Sequence, residues 1–125
     1  MKIGIDLDHC ITADKQSIEF FSIMTNLLIA EHRIVILTNR EPNSEQEIAD
    51  ELDNLNIDYS QIVITENKAQ YIRDNKITIF FENEDESFLE LGEEVVVFKI
   101  RESGNFSFAE KKWITSKNNS ILIDK

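Results

Sequence analysis

Two acidic residues, Asp6 and Asp8, stand two positions apart at the end of the first apolar run, Ile3-Gly4-Ile5. Carboxylates this close repel one another unless a cation lies near, so the spacing suggests chemistry beyond a strand end or a turn cap. Further polar groups follow the next apolar runs. Thr38, Asn39 and Arg40 come after Ile34-Val35-Ile36-Leu37, Lys68 lies past Ile62-Val63-Ile64, and Glu82 directly follows Ile77-Thr78-Ile79-Phe80-Phe81. These are the groups that attack electrophiles, move protons and offset oxyanion charge. Each also has a plainer reading: Thr38 as an ordinary strand-end hydroxyl, Glu82 as a solvated acid, Arg40 as the surface partner of adjacent Glu41. What favours function is their recurrence, one set after each of these four apolar runs.

The runs that precede them are short and mostly β-branched or aromatic, as is a fifth, Val95-Val96-Val97-Phe98, and they read as buried strands. Helical spacing lies between, at Ile18, Phe21 and Ile23 to Leu28, and at Ile48, Leu52 and Leu55. Asp14 is placed to cap the first helix, while Ser44 with Glu47 and Asn83 with Glu86 have capping-box spacing for the second and fourth. Buried strands joined by helices predict right-handed crossovers and a mostly parallel five-stranded sheet covered on both faces. The expected fold is a three-layer, Rossmann-like α/β domain, and in such a sheet functional groups collect at the carboxyl edge of the strands. Residues 1–98 form the expected core. Residues 99–125 read as an extension packed on it, with Phe106, Phe108, Trp113 and Ile121 to Ile123 suggesting a terminal hairpin or wrap.

This order of residues resembles the haloacid dehalogenase (HAD) superfamily of phosphohydrolases over about residues 2 to 98. The first motif of that family, a hydrophobic strand followed by Asp-x-Asp-x-Thr/Val, is matched by Ile5-Asp6-Leu7-Asp8-His9-Cys10; the second by Ile36-Leu37-Thr38; the third by Lys68; the acidic fourth by Phe80-Phe81-Glu82-Asn83-Glu84-Asp85. Cys10 stands where Thr or Val is usual, and Glu82-Asn83 where Asp, often paired, is usual. The resemblance implies a Mg²⁺-dependent phosphomonoester hydrolase working through an aspartyl phosphate. Asp6 would be the nucleophile and Asp8 the acid and base; Thr38 would hydrogen-bond a phosphoryl oxygen and Lys68 offset its charge, with Asn39 and Arg40 as substrate contacts. Mg²⁺ would be held by Asp6, the backbone carbonyl of Asp8 and Glu82, with Asp85 as the alternative acid. One helix fits between Cys10 and Arg33, and a turn or two between Lys68 and Ile77, so no cap domain is expected. Two rival functions remain: a noncatalytic HAD-like domain that binds metal or a protein, and a phosphoaccepting receiver domain. The receiver needs an Asp after its third strand, where Ile64-Thr65 stands.

Length and composition bound the partners. The chain of 125 residues, 42% apolar and 30% charged with 3 Gly and 1 Pro, suits one globular domain. Its 24 acidic and 13 basic residues give a net charge of -11, a field that opposes nucleic acid and anionic membranes. The lone Cys10 excludes an internal disulfide, and Gln16 six positions later excludes a Cys-x5-Arg phosphatase loop, so a buried small residue is expected there. No bilayer span and no signal-peptide pattern are present, so a cytoplasmic setting is expected. The expected partner is a phosphorylated substrate of unspecified class. A second copy of the chain, docked through the aromatic tail, would cover the open site. His9 and His32 read as structural or solvent-facing.

Overall fold

Each apolar run sends alternate side chains to opposite faces of one sheet. In the computed structural model, which describes residues 1–114, Ile3, Ile5, Ile34 and Ile36 pack with Phe21, Ile48 and Leu52 on one face, while Val35, Leu37 and Phe80 pack with Ile72 and Ile77 on the other. The strands are β1 (Lys2–Asp6), β2 (Arg33–Thr38), β3 (Gln61–Ile64), β4 (Ile79–Glu82) and β5 (Val96–Lys99), all parallel, in the order β3-β2-β1-β4-β5. Helices α1 (Lys15–Leu28) and α2 (Glu45–Asn54) supply the first face and α3 (Lys68–Asp74) the second. The expected three-layer α/β fold is therefore present. Full burial of each Ile or Phe in these layers is worth about 1.5–3 kcal/mol. Gly4, in the central strand, is needed for close packing: a Cβ there would lie 3.1 Å from Leu37 Cδ1 and 3.2 Å from Phe80 Cδ1.

The strand order positions the site. From β1 the chain moves outward through β2 and β3, then returns to lay β4 and β5 on the other flank of β1. Crossovers leave the carboxyl ends of β1 and β4 toward opposite faces, which opens a crevice between them. Beyond β1 the chain makes one π-type turn, Leu7–Ile11, whose helical dihedrals are broken at Asp8 and at His9, with φ 58° in the left-handed region. Only short segments separate this turn from α1 and α3 from β4, and no cap domain is inserted. No helix of the described residues is long and apolar enough to cross a membrane.

The caps differ in part from expectation. Asp14 does accept a hydrogen bond from the Ser17 amide, at 3.0 Å. Ser44 sits at the N-cap of α2, but its hydroxyl donates to the Glu41 carbonyl at 2.6 Å and makes no capping bond. The fourth helix does not form. A single 3₁₀ turn, Asp85–Ser87, stands there with Glu84 at its N-cap, because Asn83 is drawn into the crevice and Asp85 into an ion pair with Lys99. In the tail, β6 (Phe106–Ser107) and β7 (Lys112–Trp113) form an antiparallel hairpin in which the Phe106 ring lies 5.1 Å from both Phe108 and Trp113. Ile121 to Ile123 lie outside the described residues.

Candidate active site

Strand register brings the acids together. Ile5 pairs with Phe81, so Asp6, one residue on, ends β1 level with Glu82 at the end of β4. Lys68 enters from above as the first residue of α3, whose N-cap Asn67 accepts from the Gln70 amide at 3.1 Å and donates to the Gln70 side chain at 3.3 Å. Its ammonium lies 2.8 Å from Asp6 Oδ1 and 2.9 Å from Glu82 Oε1. That pairing offsets the unfavourable dipole of a cation in a helix's first turn. Glu82, fully buried, also accepts the backbone amides of Asn83 at 3.0 Å and Glu84 at 3.2 Å. The Asn83 amide, oriented by its neighbours, donates to Asp6 Oδ2 at 3.1 Å and Glu82 Oε2 at 2.8 Å.

Two buried carboxyl groups share one ammonium here, which does not hold both of them ionised. Burial first, and the Glu82 charge second, push Asp6 up to about 8 against the pull of Lys68. Burial opposes the Lys68 ammonium too, yet Asp6 and Glu82 outweigh it and hold its pKa above the ordinary lysine value. A second cluster lies at the rim. Arg40 grips Asp8 with two hydrogen bonds, Nη2 to Oδ1 at 2.7 Å and Nε to Oδ2 at 3.0 Å, and reaches Glu51 at 3.0 and 3.2 Å. Those bonds hold Asp8 below the usual carboxylate range. Arg40 thus pairs with Asp8 and Glu51, not with the adjacent Glu41.

Over the buried cluster opens a cavity of about 350 Å³ lined by Asp6, Asp8, Thr38, Asn39 and Lys68 among others. Thr38 is 1% exposed, and its hydroxyl makes no hydrogen bond among the described residues, so it offers a free donor to a guest. Asn39 lies at the junction with a neighbouring groove that Arg40 also lines. The expected site residues Asp6, Asp8, Thr38, Asn39 and Lys68 therefore converge on one cavity, with Glu82 in contact beneath it and Arg40 bound to Asp8. Asp85 is held by Lys99 at 2.6 Å and is not joined to Asp6. Cys10 is buried, and burial pushes its thiol up, consistent with an inert packing residue.

No group of three His, Cys, Asp or Glu side chains among the described residues is arranged to hold a metal by itself. Mg²⁺ is commonly held by one or two carboxylates, with water and substrate phosphate completing its octahedron. Asp6 and Glu82 are all-oxygen donors, and a cation beside them would supply the charge that lets Asp6 ionise, so they fit that requirement.

No family model, curated protein or solved structure matches this chain. The roles of these residues rest on their geometry. Three participants were not visible as such in the sequence. Asn83 faces Asp6 instead of capping a helix; Glu51 completes the Arg40 cluster from α2; and Asn105, which donates to the Asn83 carbonyl at 2.9 Å and the Ile100 carbonyl at 2.8 Å, ties the segment after β5 to the site. Only the Asn67 cap had a readable signal, the Asn-x-x-Gln spacing immediately before Lys68.

Proposed function

We propose that the protein is a Mg²⁺-dependent phosphomonoesterase of the HAD type, with Asp6 as nucleophile. One observation carries the reading: at the switch point of the sheet, a cavity floor joins a buried carboxylate pair to a lysine that cannot neutralise both. Asp6 would attack phosphorus as the leaving oxygen departs, with Asp8 giving that oxygen a proton. Water would then attack the aspartyl phosphate, Asp8 taking its proton, and phosphate would leave with Asp6 restored. While Arg40 holds it at two oxygens, Asp8 carries no proton to give. Donation therefore requires Arg40 to loosen, and an incoming phosphate ester offers that guanidinium a competing acceptor. Thr38 donates from the opposite flank, and Lys68 keeps Asp6 oriented.

Bound Mg²⁺, held by Asp6, Glu82 and the Asp8 carbonyl, would offset phosphoryl charge and favour ionised Asp6. The strand order 3-2-1-4-5 argues against a receiver domain, whose doubly wound sheet runs 2-1-3-4-5. A cytoplasmic setting and an open, capless site, coverable by a second copy, complete the reading. The test is phosphate release from a panel of phosphomonoesters with and without Mg²⁺. Release that requires the metal is expected; no release from any ester, with the fold intact, would favour the noncatalytic alternative.

A further inference from the structure

The cavity over Asp6 has a strongly acidic mouth. Glu66 lines one side, and Glu84, Glu86 and Glu90 line another; all four are exposed. None of the four makes an ion pair among the described residues, because the nearby cations are committed elsewhere: Lys68 to Asp6 and Glu82, Arg40 to Asp8 and Glu51, Lys99 to Asp85. Among the described residues, Lys68 is also the only lysine or arginine that lines the cavity. Thr38, 1% exposed and with no hydrogen bond to its hydroxyl among the described residues, lines the same space and leaves a donor for a ligand at the floor.

These carboxylates are spread around an opening and do not converge on a point, and no three of them are arranged to hold a metal ion. A diffuse organic cation matches that distribution better than a second compact ion. From the charge around this mouth we infer that the substrate is a small phosphomonoester whose leaving group carries a cationic group, an ammonium or a guanidinium. The phosphoryl end goes to the floor, near Thr38, Asp6 and Lys68, and the cationic end lies among Glu66, Glu84, Glu86 and Glu90. The cavity, about 350 Å³, is at the small end of ligand sites and suits a compact molecule. Leaving groups that bring further negative charge meet repulsion from the same residues.

This inference rests on the phosphatase reading, and its test separates the two. Phosphocholine and its uncharged isostere, in which a quaternary carbon replaces the nitrogen, are compared with the full chain in Mg²⁺, by kcat/KM and by calorimetric Kd. Four exposed, screened carboxylates predict a preference of about tenfold for the choline ester, declining as salt is added. The quadruple variant Glu66→Gln, Glu84→Gln, Glu86→Gln, Glu90→Gln should abolish the preference, whereas Glu19→Gln, Glu31→Gln, Asp53→Asn, Glu110→Gln, which removes equal charge away from the cavity, should keep it. Turnover of both esters at equal kcat/KM, or a preference that survives the mouth variant, overturns the inference and leaves the phosphatase reading standing. If neither ester is turned over, the phosphatase reading fails on these substrates and binding decides: tighter binding of the choline ester, lost in the mouth variant, upholds a cation-selective cavity, and equal or absent binding overturns it.

Discussion

Two clusters of the same composition, each a cation between two carboxylates, lie beside each other at the carboxyl edge of the sheet, and they behave in opposite ways. Asp6, Lys68 and Glu82 are buried, with side chains 7%, 9% and 0% exposed, whereas Asp8, Arg40 and Glu51 are 49%, 22% and 35% exposed. In the first, loss of water dominates and Asp6 is raised; in the second, the guanidinium dominates and Asp8 is lowered. Burial thus decides which carboxylate welcomes an added cation. Solvent and a bidentate arginine satisfy Asp8, while Asp6, which its lysine alone does not keep ionised, would ionise beside an added cation.

The buried cluster should be most sensitive at Lys68. Lys68→Met leaves two buried acids without their cation, and urea denaturation in the absence of Mg²⁺ should give a loss of about 3–5 kcal/mol. A loss below about 1 kcal/mol would mean that the cluster is far wetter than its burial indicates. Next in size is the effect on metal. Glu82→Ala should raise the Mg²⁺ concentration for half-maximal activity about tenfold or more, equivalent to roughly 1.4 kcal/mol, while Asp85→Ala, which removes the partner of Lys99, should shift it little. The reverse ranking would move the ligand to Asp85.

The opposite directions of the two acids predict opposite pH dependences. Raised from 3.8 to about 8, Asp6 keeps a proton in the folded protein after the unfolded chain has lost it, so its contribution to stability is lost as pH rises between those values. Asp8, lowered by Arg40, contributes stability above the ordinary carboxylate pKa that is lost as pH falls through its folded value. Without Mg²⁺, the Tm difference between wild type and Asp6→Asn should therefore fall toward alkaline pH, and that between wild type and Asp8→Asn should fall toward acid pH. Trends of the same sign for both variants would remove the distinction drawn between the clusters. The smallest effect is expected at the rim: Arg40→Ala should cost at most about 1 kcal/mol, less at high salt, since its pairs are partly solvated.

How much of this could be read in the sequence follows from what sets each feature. Strands β1 to β5 were legible because Ile, Val and Phe in short runs have few alternatives, and Asp6, Thr38, Lys68 and Glu82 were legible because each follows such a run. Side-chain partners across the fold were not. The pairing of Arg40 with Asp8 depends on a π-type turn that places His9 in the left-handed region, which no local preference of Leu7-Asp8-His9-Cys10 announces. The absent fourth helix has the same origin: Asn83 and Glu86 have capping spacing, but the crevice claims the Asn83 amide and Lys99 claims Asp85. Local helix signals lost to tertiary hydrogen bonds there, whereas at Asp14 nothing competed and the cap formed.

The proposed attack of Asp6 on phosphorus would leave an acyl phosphate that can be trapped. Wild-type protein turning over a phosphomonoester in Mg²⁺ is quenched in acid within the first turnovers, digested, and its peptides weighed. The account predicts one phosphoryl group on the peptide containing Asp6, removed by hydroxylamine as an acyl phosphate, and absent from Asp6→Asn, which releases no phosphate. Recovery of the phosphoryl group on another residue, or undiminished phosphate release by pure Asp6→Asn, would contradict it.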